Sequence, residues 1–402
     1  MKLIIERTLM TMSNKHLPHD LKQMQSLPLE AKITMTQQRI RQWYEYWDGQ
    51  VYVGFSGGKD STVLKHIVDQ MYDNVPALFV NTGLEYPEIQ KFVKEVKAGK
   101  YSCFNSDVEI VRPKMRFDDV LKKYGYPVVS KNVSHSVKIA KRNPDGKVME
   151  NQFTPENKGR FGFYKWKFLI DAEFETSEEC CNVMKKAPAK QYSKQTGRKP
   201  ILGTQASESS LRYSKWLKNG CNAFEGSSPS SQPLSFWTEQ DILHYIKKYK
   251  VPYCSVYGEI VADTGDDDQI NMIDYLGSYE EEDKLKTTGC ARTGCIFCMF
   301  GCHLEKEPNR FQKLKETHPR QYEYCILGGE YITEGYALTS SGEWVSFVFE
   351  HDDGTPFTQE EIDVFVDQHK DNPNYQFRKK LQPNKEGLGL GKVLDYIGVN
   401  YK

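Results

Sequence analysis

The stretch Gly54-Phe55-Ser56-Gly57-Gly58-Lys59-Asp60-Ser61-Thr62 constrains this chain more than any other. The run from Val51 to Phe55 reads as a buried strand leading into it. Val63, Leu64, Ile67, Val68 and Met71 follow at helical spacing. Ala77 to Val80 and Val108 to Val111 read as two further buried strands. Strand, glycine turn, helix and strand in about thirty residues make a βαβ unit, which requires a parallel sheet covered by helices. In such sheets ligands sit beyond the carboxyl ends of the strands. Glycines there let backbone N–H groups close around phosphate oxygens, and the helix N-terminus adds its dipole. Lys59 supplies a mobile positive charge, and Ser56 and Ser61 supply hydroxyls. The turn is not a Walker A loop: its spacing is one residue shorter, and Asp60 rather than a hydroxyl residue follows the lysine. The plain alternative is a glycine-rich βα turn that binds nothing.

A chain of 402 residues exceeds one small domain. The expected fold class is α/β: an open, mostly parallel twisted sheet with helices on both faces, an N-terminal helical segment and a C-terminal cysteine-rich α+β extension. The expected division is 1–48 helical, 49–260 nucleotide-binding, 261–330 acidic and cysteine-rich, and 331–402 extension. Residues 36–48 place Ile40, Trp43, Tyr44 and Trp47 on one helical face, with Gly49 as the stop. Pro200 to Gly203 reads as another sheet strand. Thr238 with Asp241 three residues on is a capping-box pattern, and a further helix is expected around 359–369. Residues 263–283 hold nine acidic side chains and no basic one, which reads as a solvated loop. No run of 18 apolar residues suits a membrane span, and the first residues do not suit a signal peptide. The expected location is cytoplasmic, where clustered cysteines indicate metal or redox chemistry rather than disulfides.

Several motifs occur in order along residues 35–300. They are Ser56-Gly57-Gly58-Lys59-Asp60-Ser61; Thr82-Gly83 before Pro87-Glu88; Cys180-Cys181 with Lys185; Gly203-Thr204-Gln205-Ala206-Ser207-Glu208-Ser209 with Arg212; Pro233-Leu234 and Trp237; Pro252-Tyr253 and Tyr257-Gly258; and Cys295-x-x-Cys298. The ordered set resembles the PP-loop ATP pyrophosphatase superfamily and, within it, the phosphoadenosine phosphosulfate (PAPS) reductase family. The resemblance implies that Ser56, Gly57, Gly58, Lys59, Asp60 and Ser61 bind phosphates or sulfate. It implies that Thr82 and Gly83 border the adenosine and that Gly203 and Arg212 face the same crevice. Asn81 and Gln205 stand where the family pattern has Asp and Arg, so a charged fork for an anion is absent.

Four thiolates make a [4Fe–4S] site. Similarity to adenylylsulfate reductases implies Cys180, Cys181, Cys295 and Cys298 as ligands. Similarity to phosphorothioate-modification relatives implies Cys181, Cys290, Cys295 and Cys298. Local zinc on Cys290, Cys295, Cys298 and Cys302, or a set of buried thiols, are the other readings. Cys103, Cys221 and Cys254 read as core residues.

Reductases of the family use a mobile C-terminal cysteine as nucleophile. Here no cysteine follows Cys325, and Cys302 sits close to a cluster ligand. The leading expectation is therefore an enzyme that binds ATP with Mg²⁺ and adenylates an acceptor. Lys59, Asp60, Ser61 and Arg212 would carry the chemistry, and AMP and pyrophosphate would form during iron–sulfur-assisted sulfur transfer. Two alternatives stand beside it: a thioredoxin-dependent sulfonucleotide reductase releasing sulfite, and a non-catalytic nucleotide- or nucleic-acid-binding module with a structural metal. Residues 112–142 carry nine Lys or Arg against two acids, and 185–218 carry nine against one. These basic flanks suit a nucleic-acid or nucleotide acceptor, with Tyr124, Tyr126, Tyr192, Tyr213 and Trp216 as candidate base-stackers. A sulfur donor or thioredoxin-like protein is the other expected partner, and no membrane partner is expected.

Overall fold

The structure, a computed structural model, describes residues 16–157, 159, 162–263 and 284–402. The acidic stretch 264–283 lies outside the described residues. The chain divides into two compact units: residues 1–113 with 186–295, and residues 114–185 with 296–402. Each is assembled from two separated stretches, so the units interleave along the sequence instead of following the linear division expected above. In the first unit this follows from long-range strand pairing, invisible to a residue-by-residue scan: residues 199–202 return beside residues 51–54 across almost 150 residues.

The first unit is built on a six-stranded sheet: β1 (Val51–Gly54), β2 (Ala77–Val80), β3 (Val108–Val111), β4 (Lys199–Leu202), β5 (Asn222–Ala223) and β6 (Ser230–Ser231), in the order β3-β2-β1-β4-β6-β5. All pairings are parallel except β5 with β6. Alternation along the strands separates two apolar faces. Val51, Val53, Ala77 and Phe79 join a core with Val63, Ile67, Ile89 and Val93 from the helices Lys59–Asp69 and Pro87–Lys97. Tyr52 and Leu78 point the other way, against Tyr192 of the helix Ala187–Thr196. Each fully buried Val, Leu, Ile or Phe among them contributes about 1.5–3 kcal/mol. The helix Leu29–Tyr46 buries Ile40 and Trp43 and starts earlier than its apolar periodicity marks, because Leu29 and Lys32 are also buried. Lys32 ends on Asp241 at 2.7 Å. The helix Glu239–Tyr249 opens with the expected capping box of Thr238 and Asp241. A two-stranded pair, β7 (Ile260–Ala262) with β8 (Leu285–Thr287), completes this unit.

Successive strands run from β1 through β2 to β3 on one side, and β4 lies on the other side of β1. The sheet order therefore reverses at β1 and β4. Loops leaving these two strands diverge, which opens a crevice at their carboxyl ends.

In the second unit, β9 (Glu330–Leu338) pairs antiparallel with β10 (Trp344–Phe347) and β11 (Tyr375–Gln382), with the expected helix at Gln359–His369. No clear pattern along the chain marks these strands. Their side chains are mostly half-exposed, so alternation is blurred. The helix Lys131–Arg142 is capped by Ser130, whose hydroxyl accepts the Val133 N–H. No described helix is long and apolar enough to cross a membrane.

Candidate functional site

The turn after β1 is built from its own hydroxyls. Ser61 Oγ accepts the Ser56 N–H at 3.1 Å and donates to the Gly58 carbonyl at 2.9 Å. Ser56 Oγ lies 2.9 Å from Ser61 Oγ and accepts the Gly58 N–H. Gly57 has φ +72°, and a Cβ there would stand 2.9 Å from both Ile89 and Val93. Gly203 is required for a different reason: a Cβ there would come 3.0 Å from the Asp60 carbonyl. The end of β4 thus packs directly on the first turn of the phosphate-loop helix.

Lys59 begins that helix, and its side chain is almost wholly buried. Its ammonium donates to the Ala291 carbonyl at 2.7 Å, lies 3.2 Å from Glu239 Oε1, and stands 5.3 Å from the Tyr257 ring centre. The backbone N–H of Lys59 donates to the Tyr257 hydroxyl at 3.0 Å, and Thr293 Oγ1 lies 2.7 Å from the same hydroxyl. Burial pushes the Tyr257 hydroxyl up to about 12, so it stays protonated at all physiological pH. The covering segment is held by Gly289 N–H on the Tyr257 carbonyl and Cys290 N–H on the Val256 carbonyl. Gly258, at φ +66°, and Gly289 have no room for a side chain at this crossing.

Half-buried Asp60 accepts a hydrogen bond from Gln205 Nε2 at 2.9 Å. Glu208 pairs with Arg212 and, at 2.8 Å, with Arg292. Burial and the neighbouring Arg292 lower the Arg212 pKa, while the charge of Asp60 opposes them. At the end of β2, buried Thr82 is fixed by Glu85, whose carboxylate accepts the Thr82 N–H at 3.0 Å and its hydroxyl at 2.6 Å. Gly83, at φ +75°, donates to Asn81 Oδ1 and faces open space.

Ser56 to Ser61, Gly203 and Arg212 therefore gather at the crevice between β1 and β4, with Thr82 and Gly83 beside them at the end of neighbouring β2. Sequence reasoning missed Glu85, Glu239, Ala291, Arg292 and Thr293 as parts of the site. Tyr257 and Glu208 lay inside the ordered motifs, and Glu85 between Gly83 and Pro87, which was the available signal. Glu239 sits at an ordinary capped helix start, where nothing marks it.

Of the cysteines singled out, Cys290 and Cys295 belong to the first unit and Cys180, Cys181 and Cys298 to the second. Among the described residues no disulfide occurs, and no three His, Cys, Asp or Glu side chains are gathered closely enough to hold a metal ion. Within the second unit the Cys180 and Cys181 sulfurs are 4.0 Å apart. Burial raises the Cys298 pKa, the Cys181 charge adds to this, and Arg310 opposes it. Cys302 is buried, pushed up to about 11, and donates to the Met299 carbonyl at 3.0 Å. Burial drives Cys325 well above the usual thiol range. Of the expected base-stackers, Tyr126, Tyr192 and Trp216 are buried in the cores and present no ring face to a base. Their apolar bodies were taken up by packing, as large aromatics commonly are.

A model of the phosphoadenosine phosphosulfate reductase domain family matches residues 50–151 and 137–300. Over 92 residues the chain is 35% identical to an uncharacterized protein of Methanocaldococcus jannaschii, covering 22% of this chain and 21% of that protein. The chain thus spans about a fifth of the length of the curated relative it matches. It is also similar to the crystal structure of phosphoadenylyl-sulfate (PAPS) reductase from Candida auris in its phosphate complex. That similarity is 18% identity, 55% of this chain, 82% of that chain and a TM-score of 0.33.

Proposed function

The chain belongs to the phosphoadenosine phosphosulfate reductase domain family, and on that footing we propose that its first unit binds ATP and adenylates an acceptor. The phosphate loop takes the β- and γ-phosphates. An acceptor oxygen attacks the α-phosphorus, the bond to the β-phosphate oxygen breaks, and pyrophosphate leaves. Lys59 and the loop amides neutralise the charge that grows on the leaving group. To do so Lys59 exchanges Ala291 and Glu239 for phosphate oxygens. Mg²⁺, when bound, would neutralise phosphate charge, and Asp60 would be the carboxylate that holds it.

The observation that carries this reading over sulfonucleotide reduction is the state of the late thiols. Cys302 and Cys325 are both buried with raised pKa values, so neither offers a thiolate to attack sulfur. The neutral Gln205 supports the same choice, since it spends its amide on Asp60 rather than offering a charged fork to an anion.

The proposal extends to an acceptor that is a nucleic acid or nucleotide, a sulfur donor or thioredoxin-like partner, and a cytoplasmic setting. An iron–sulfur cluster, or zinc as the lesser choice, belongs to this reading through Cys180, Cys181, Cys290, Cys295 and Cys298, but no three of them are gathered closely enough among the described residues to hold a metal ion, and no step is routed through such a group. When bound, such a cluster supplies sulfide and electron transfer. The test is product analysis with candidate acceptors under anaerobic conditions. AMP and pyrophosphate in equal amounts support adenylation; sulfite from a sulfonucleotide, or ADP and phosphate alone, overturns it.

A further inference from the structure

The second unit presents aromatic rings where the sequence did not single them out. Residues Tyr164–Asp171 form a 3₁₀ helix reading Tyr164-Lys165-Trp166-Lys167-Phe168 at its start. Tyr164 is 48% and Phe168 40% exposed, and Lys165 and Lys167 are exposed between them. With three residues per turn, Tyr164 stacks above Lys167 and Lys165 above Phe168, so ring and ammonium alternate on both sides. The span from Tyr164 to Phe168 is about 8 Å at 2.0 Å per residue, enough for one or two bases.

The platform is rigid where a binding surface should be. Trp166 is half-buried edge-on against His303 at 5.0 Å, and the Lys165 ammonium lies 5.1 Å from its ring centre. The Phe168 ring sits 6.0 Å from Trp166 and 5.7 Å from Tyr396, whose hydroxyl donates to the Phe168 carbonyl at 3.0 Å. The helix Lys131–Arg142 packs against this turn. Asp171 and Glu173 act on the Tyr396 hydroxyl and mark the end of the positive track.

We propose that the Tyr164–Phe168 turn is a stacking platform for single-stranded nucleic acid, with Lys165 and Lys167 neutralising its phosphates. Bases have apolar faces and their backbone is anionic, so alternating rings and lysines complement both at once. This rests on the nucleic-acid-acceptor reading above and gives it contact residues.

The test is fluorescence anisotropy of a labelled oligothymidylate of about a dozen nucleotides with the full-length protein, without ATP, over a salt series. The Tyr164→Ala, Phe168→Ala double variant should weaken binding about 10- to 100-fold with an unchanged salt slope. Lys165→Gln with Lys167→Gln should lower the slope of log K against log salt by about 1.4. Wild-type affinity in the aromatic variant overturns the proposal in favour of a plain polyanion surface. Equal loss of affinity for heparin or for anionic lipid vesicles in that variant also overturns it. Circular dichroism identifies a variant that merely unfolds, and Tyr164→Leu, which keeps bulk but loses the ring, then replaces it. AMP formation is measured separately, so loss of the adenylation reading leaves this binding result standing.

Discussion

Gln205 donates its side-chain amide to Asp60 across the crevice between β4 and the phosphate-loop helix, at 2.9 Å. A neutral donor at this point fixes a carboxylate without neutralising it. Gln205→Glu would set two carboxylates against each other, raising the pKa of the pair. Kcat/KM should then fall roughly 10- to 100-fold at neutral pH and recover partly as pH drops and the pair takes up a proton. A pH–rate profile matching wild type would mean that Asp60 takes no part in the reaction.

Lys59 is buried with a carbonyl and a carboxylate as partners. Lys59→Met keeps the apolar stem and removes the charge. Nucleotide turnover should fall about 10²- to 10³-fold, the range for removing one charge-stabilising donor. Calorimetry with ATP should show weakened binding, and undiminished binding would place the phosphates elsewhere.

The Tyr257 hydroxyl joins the Lys59 N–H to Thr293. Tyr257→Phe leaves that N–H without its acceptor at a buried position, which costs about 1–3 kcal/mol. Thermal unfolding should shift down by several degrees, and bound ATP should restore part of the loss if phosphate takes over the N–H. A shift that ATP leaves untouched would show that phosphate does not reach this amide.

Because Cys325 is buried with its pKa raised above the usual 9.0, the folded state keeps a proton that the unfolded state releases. Its contribution to stability is therefore complete below about pH 9 and is lost as pH rises beyond it. Alkylation of native protein, followed by mass spectrometry from pH 7 to 10, should leave Cys325 unmodified until unfolding. Rapid modification at pH 7 would restore it as a candidate nucleophile.

Cys298 feels the charge of Cys181 in the same unit. Under the iron–sulfur reading, anaerobically purified Cys298→Ala should lose most of the iron that the parent protein carries. Zinc bound in place of iron in the parent protein would decide for the lesser metal, and full retention of iron would remove Cys298 from the ligand set.

The strands β1 to β4 and the phosphate loop were legible because each is a short apolar run or glycine turn whose meaning is local. The reach of Ser61 back to Ser56 follows from that same local spacing. The covering contacts were not legible: Ala291 acts through a backbone carbonyl, which carries no side-chain signature, and Glu239 meets Lys59 from 180 residues away. Aromatic rings misled in one direction and hid in the other. Tyr126 and Trp216 sit among basic residues yet face inward, whereas Tyr164 and Phe168 sit in a short turn whose three-residue period a search for helices and strands passes over.

The interleaving of the two units bears on how the chain is made. The polypeptide passes from one unit to the other at 113–114, 185–186 and 295–296. On a ribosome, β1 to β3 emerge early but must wait for β4 before the sheet order can reverse, and Lys59 waits longer still for Ala291. The second unit begins at residue 114 and closes only with the last hundred residues. The first unit can close once residue 295 has been made, while the second, begun at residue 114, still waits for the residues from 296 onward, so neither is completed from one continuous stretch of chain.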